Sequence, residues 1–235
     1  ANIENGNGKL LSNINSLYLF LYDSAGNLVT LDDATEQGKF FPNSIDMTSL
    51  TVTDEDRNDA DASNGIKAES KTKSIKGLNL KLPFGTYYIV AAANLKNETI
   101  SSLTNDPTNY ATLDALRKMK TNWNSDDISQ NSEMLGYFTD LEIYGKNTNP
   151  PTAEKQFAKV AVNRSGIKLH AWLRRSASKV TIDFDGSNLR ENITVYIKEA
   201  KIYDIPYDCT LGFGQPQADA VQASEGTYAY NNTPD

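Results

Sequence analysis

Residues 16–23 read Ser-Leu-Tyr-Leu-Phe-Leu-Tyr-Asp. An extended chain puts Leu17, Leu19 and Leu21 on one side and Tyr18, Phe20 and Tyr22 on the other. Apolar residues on both sides predict a buried central strand. The turn residues Asp23-Ser24-Ala25-Gly26-Asn27 follow, then Leu28-Val29-Thr30, which together form a hairpin signature. Residues 53–73 are polar and nearly free of large apolar groups, as in a solvent-exposed loop. Leu78, Leu80 and Leu82 then alternate with Asn79 and Lys81, the pattern of a half-buried strand, which Pro83-Phe84-Gly85 breaks. Residues 86–94 (TYYIVAAAN) are again apolar on both sides, so a second central strand is expected.

One short helix is predicted after it. Thr112 can cap its start, and Asp114 lies in its first turn. Arg117, Lys118 and Lys120 lie in its last, an order that complements the helix dipole. Leu113, Leu116 and Met119 would form its buried stripe. Strand patterns crowd the second half, at 134–144, 157–163, 166–175, 180–184 and 193–205. In 166–175, Ile167, Leu169, Ala171 and Leu173 share one face, and Lys168, His170, Trp172 and Arg174 share the other. In 193–205 the alternation through Val195 and Ile197 shifts phase to Ala200 and Ile202, so a β-bulge is expected near Lys198 and Glu199. About seven or eight strands and one helix, with no βαβ rhythm, predict an all-β antiparallel β-sandwich. The expected domain runs over 1–214. Residues 215–235 read as a polar tail that begins a second, missing domain.

Composition narrows the chemistry. The chain has 235 residues, 39% of them hydrophobic and 23% charged, and about a tenth are Asn. A disordered chain would carry fewer apolar residues. The formal charge is −7, and without a basic stripe the electrostatic drive for nucleic acid is missing. No apolar run reaches the ~20 residues of a membrane-spanning helix. Ala1 to Ser16 is polar and carries no signal-peptide pattern, so an exported protein would be represented by its mature form or a fragment.

The chain has one Cys, Cys209, and one His, His170. A disulfide framework is therefore impossible within it. Metal sites that need two or more His, or His with several Cys, are excluded too. A Ser–His–Asp triad would have to use His170, but no GxSxG elbow exists. A structural His170 and a buried Cys209 are the plainer readings. Asp54, Asp56, Asn58, Asp59 and Asp61 suggest a calcium loop. Counted from Asp54, however, position six is Asp59 and position twelve is Gly65, where an EF-hand needs Gly and Glu. An acidic solvated loop is the default there, with a weak Ca²⁺ site near Asp54–Asp61 as the alternative. Carboxylate pairs such as Asp183 with Asp185 do not single themselves out for glycoside hydrolysis. No catalytic residue, cofactor or metal site is expected, so the chain reads as a non-enzyme. The sequons at Asn97, Asn163, Asn192 and Asn231 are what an Asn- and Thr-rich chain produces by chance. The triplet Asp23-Ser24-Ala25 resembles a short O-glycosylation acceptor.

The order of segments resembles the fimbrillin family, the major-subunit type of type V pili. LYLFLYDSAGNLV (17–29) is similar to its first retained strand. GTYYIVAAANL (85–95) resembles its Gly-x-Tyr…Ala-x-Ala-Asn strand, and ATLDALRKM (111–119) its short Leu-rich helix. EMLGYFTDLEI (133–143) resembles its Met-Gly segment, and LHAWLRRSASKVTIDF (169–184) its Leu-x-Arg…Ala-Lys-Val strand pair. KEAKIYDIPYDCTLGFG (198–214) is similar to the end of its N-terminal domain. The resemblance implies a transthyretin-like sandwich, export as a lipoprotein and assembly at the outer membrane. Its partners would be other fimbrial subunits, joined head to tail by donor-strand exchange and working in adhesion at the cell surface. The membrane would be reached only through a lipid anchor outside this chain. Leu17, Leu19 and Leu21 are then the candidate groove or assembly strand. Two features depart from the family. In the family an Arg-specific cut removes the first strand and the donor comes from the C-terminal segment; here no Arg precedes Leu17, so that cleavage site is not visible, and a second domain with its donor strand is not seen. A surface adhesin module that binds carbohydrate or a host ligand without polymerising is the alternative. It would need exposed aromatic residues such as Trp123 or Trp172.

Overall fold

The computed structural model describes residues 14–49, 51–56, 71–122, 133–144, 157–176, 200–206, 208–211 and 223–228, with 189, 190, 193, 195 and 196. Most of its regular elements are strands, and they pair antiparallel. A five-stranded sheet is built from β1 (Leu17–Asp23), β4 (Gly85–Ala93), β6 (Met134–Asp140), β7 (Val160–Val162) and β8 (Leu169–Arg175). Its order is β1-β4-β6-β8, and β7 pairs with the start of β4. The two segments read as central strands face each other over their full length, from Leu17 opposite Ala93 to Asp23 opposite Tyr87. β4 is the true centre, with β1 along one edge and β6 and β7 sharing the other.

Both faces of this sheet are buried, as the two-sided apolar pattern requires. Tyr18, Phe20, Tyr22, Val90, Ala92 and Leu135 belong to one core. Leu17, Leu19, Leu21, Ile89, Ala91 and Met134 belong to the other. The first core is covered by α2 (Asn97–Asn105) through Leu103 and by α3 (Leu113–Lys118) through Leu113 and Leu116. The second is covered by side chains of irregular segments, among them Phe40, Ile45, Leu78, Leu80 and Leu82. The remaining strands form three separate two-stranded ladders. These are β2 (Thr51–Asp56) with β3 (Lys71–Lys76), β5 (Lys120–Asn122) with β10 (Asp208–Thr210), and β9 (Ala200–Pro206) with β11 (Ala223–Tyr228).

Several expectations are met and others are corrected. Thr112 caps α3, its hydroxyl accepting from the Ala115 amide at 3.1 Å, and Leu113, Leu116 and Met119 are buried. The helix stops at Lys118 because Met119 turns extended (φ −56°, ψ 132°), so Lys120 opens β5 instead of closing the helix. That helix is not alone. α2 runs nine residues, and α1 (Ala34–Gln37) and α4 (Leu141–Tyr144) are single turns. Segment 78–82 alternates in burial as expected but joins no ladder. Of the expected loop 53–73, residues 53–56 and 71–73 belong to the β2–β3 ladder, and 57–70 lie outside the described residues. Strand 134–144 ends at Asp140, where the carboxylate accepts the Glu142 amide at 2.9 Å and starts α4. Val195 and Tyr196 lie outside any strand, and β9 begins only at Ala200. A register shift does occur in the β9–β11 ladder: Ser224 and Gly226 face Ile205 and Ile202, so the extra residue lies on β9, between Ile202 and Ile205. The tail holds β11, which pairs back onto β9. Segment 180–184 and the expected bulge at Lys198–Glu199 lie outside the described residues.

The Asp23–Asn27 turn forms as read. The Asp23 carboxylate accepts the Ala25 and Asn27 amides at 2.8 and 2.9 Å. Gly26 supplies a φ of 88°, which a side chain would strain.

Candidate functional site

Strand β1 carries the residues singled out for assembly. Leu17, Leu19 and Leu21 are buried within the second core. One edge of β1 is bonded to β4, and the other is met by the chain's own segment 28–45. The Leu21 carbonyl accepts the Val29 amide at 2.9 Å. Leu19 accepts Phe41, and Leu17 accepts Ile45, each at 2.8 Å. Three alternate carbonyls are thus satisfied by donors at 29, 41 and 45. Their uneven spacing shows a strap crossing the edge with only isolated bridges, Tyr22 to Leu28 and Tyr18 to Ser44.

The strap straddles the strand. Phe40 and Ile45 pack on the Leu17–Leu21 face. Phe41 packs on the other face, its ring 5.0 Å from Phe20, 5.8 Å from Tyr18 and 5.0 Å from Tyr110. Its middle is pinned by charge. Asp33 caps α1 by accepting the Thr35 amide at 2.8 Å. Buried Glu36 accepts from Lys39 Nζ at 2.8 Å and from the Lys81 amide at 2.9 Å. Burial pushes the Glu36 carboxyl up, but the Lys39 ammonium and the Lys81 amide outweigh it and hold it below its usual value. The Lys39 ammonium also reaches the Asn79 carbonyl, so the strap is tied to segment 77–84. On the first-core face the buried Tyr22 hydroxyl donates to the Tyr110 carbonyl at 3.0 Å. Burial, then the nearby Tyr110, pushes its ionisation up.

Other polar groups hold the sheet ends. At the Leu17 end, buried Glu133 accepts the Lys96 amide at 2.8 Å and the Thr121 hydroxyl, while its carbonyl accepts the Ser176 amide at 2.9 Å. At the far end Arg164 donates to Asp140 at 2.7 Å and to Glu142 at 2.8 Å, and those two carboxylates, Asp140 first, raise its ionisation. These contacts join β5, β6, β7 and the start of α2.

The weighed chemical candidates stay scattered. His170 is half-buried on β8, its ring edge-on to Trp172 with centroids 4.8 Å apart. The Trp172 indole donates to the buried Thr139 hydroxyl at 2.9 Å, so this ring is part of the packing and not an exposed platform. Trp123 lies outside the described residues. Cys209 sits on β10 opposite Thr121. Asp54 and Asp56 fall on β2, opposite Lys73 and Lys71, while Asn58, Asp59 and Asp61 lie outside the described residues. Among the described residues no three His, Cys, Asp or Glu side chains gather as a metal-holding group. None of their helices is long and apolar enough to cross a membrane.

Comparison with family models, curated proteins and solved structures found no match.

The sequence reading caught only the start of the strap, where the expected hairpin arm 28–30 meets β1 through the Tyr22–Leu28 bridge and the Val29 amide, and missed its course to Ile45. Its bonds come from backbone amides, which any residue but Pro supplies. The one available sign was Phe40-Phe41, a lone aromatic pair within an otherwise polar stretch.

Proposed function

We propose that this chain is a non-enzymatic structural or accessory subunit of a cell-surface fimbria of the type V pilus kind. It would be exported, displayed at the outer membrane, and joined to its neighbours head to tail by donor-strand exchange. The observation that carries the reading is β1 itself. It is an edge strand buried on both faces, yet the edge opposite β4 is met by a strap and not by a strand. An edge of that kind accepts an added strand, with main-chain bonds for affinity and alternating side chains for register. Contacts between different surfaces of successive copies do not close on themselves, so they grow filaments. The ordered likeness of segments 17–29, 85–95, 111–119, 133–143, 169–184 and 198–214 to fimbrillins supports the same reading. On it, the sheet and the smaller ladders are parts of a transthyretin-like sandwich.

Sedimentation of the purified chain over a wide concentration range tests this. Growing head-to-tail species are expected, and a protein that stays strictly monomeric at every concentration even after the strap over β1 is loosened by Phe41→Leu would contradict the proposal.

A further inference from the structure

We propose that segment 28–45 is a guard over the β1 edge, and that the strand admitted when it lifts is the apolar run around Ile193, Val195 and Tyr196 of a second copy. This rests on the subunit reading above and names the surfaces it would use.

The edge is built for a strand. Carbonyls of Leu17, Leu19 and Leu21 point outward at the spacing of two that an antiparallel partner reads. The guard fills them from residues 29, 41 and 45, so it blocks the edge without propagating a ladder. Exposed edges invite pairing with other chains, and native proteins cover them with loops for that reason.

The guard also defines what could replace it. It presents Phe40 and Ile45 to one face of β1 and Phe41 to the other. A replacing strand must therefore be apolar on both sides. The sequence Ile-Thr-Val-Tyr-Ile at 193–197 comes near that pattern, with three aliphatic residues on one side and Tyr196 beside Thr194 on the other. It is rich in β-branched and aromatic residues, which suit a strand. Ile193, Val195 and Tyr196 are 52%, 63% and 66% exposed, and none lies in a strand. Large apolar side chains left in water next to one another mark an interaction surface.

The guard is held mainly at its ends and by one charged tie. Between Thr30 and Lys39 only Glu36 is buried. Cutting the Glu36 tie to Lys39 and Lys81 should loosen the guard and leave β1 in place.

The test is sedimentation velocity of the full chain, as parent, Glu36→Ala, Val195→Asp and the double variant. Glu36→Ala should self-associate at a concentration at least tenfold lower than the parent. Val195→Asp should abolish that gain. Phe41→Leu, which trims the ring stack and leaves the tie, should act like Glu36→Ala and covers the case in which Glu36→Ala fails to fold. Amide exchange at Val29, Phe41 and Ile45 should quicken together in the loosened variants. If the parent associates but neither loosening nor Val195→Asp changes it, the guard is overturned and the subunit reading stands. If no variant associates at all, both fall.

Discussion

Phe41 lies stacked on Phe20, ring centroids 5.0 Å apart and planes 15° from parallel, while its amide bonds the carbonyl of Leu19 next door. One residue thus closes the β1 edge by its backbone and seals one face of the strand by its ring. Truncating the ring leaves a cavity among Tyr18, Phe20 and Tyr110. Phe41→Ala should cost about 3 kcal/mol in chemical denaturation. Phe41→Leu should cost less, since most of the volume is kept.

Leu19 is fully buried between Phe40 and the β4 alanines. A carboxylate there finds no cation among its core neighbours. Leu19→Asp should lower stability by about 4 kcal/mol or more, seen as loss of the cooperative unfolding transition. Unchanged unfolding would show that Leu19 is not in the core.

Gly136 sits on β6 between Ala91 of β4 and Leu173 of β8. An added Cβ would lie 2.7 Å from the Trp172 carbonyl carbon and 2.8 Å from the Leu173 Cα, and closer still to the Trp172 oxygen. Backbone cannot swing aside as a side chain can. Gly136→Ala should therefore cost about 3 kcal/mol by separating β6 from β8. A thermal melt unchanged from the parent would refute that packing.

Glu36 gives the fold an acid-sensitive tie. Its folded-state ionisation lies below the usual value of 4.5. Its contribution is therefore complete above that value and is lost as pH falls through the lower, folded one. Glu36→Gln should be less stable than the parent at pH 7, and the gap should shrink as pH drops below roughly 4. Parallel stability curves for the two proteins across that range would contradict the ion pair with Lys39.

Strands β1 and β4 and helix α3 were legible because each carries a redundant signal. Both strands are apolar on two sides, and the helix has a cap, a charge order and a stripe. Helix α2 was not, because Asn97–Asn105 is rich in Asn, Ser and Thr and buries little besides Thr99 and Leu103. Leu78, Leu80 and Leu82 show the reverse error. Period-two burial told which side chains face the core but not whether the backbone joins a ladder. Of the candidate site, the importance of Leu17, Leu19 and Leu21 to the core could be read from pattern. The hairpin arm that brings Val29 to Leu21 could be read from its turn residues, but the rest of the strap could not, since amide donors at 41 and 45 leave no trace in residue type. The Arg164 contacts to Asp140 and Glu142 depend on β7 meeting the end of β6, a juxtaposition far apart in sequence.

The central claim is that the protein is a building block of a surface fimbria. Immunogold electron microscopy of cells making the natural gene product tests it most directly. The account predicts gold along filaments projecting from the cell, repeating at regular intervals, and their loss in a strain carrying Leu19→Asp. Label confined to the cell interior, or a surface with no labelled filaments, would contradict it.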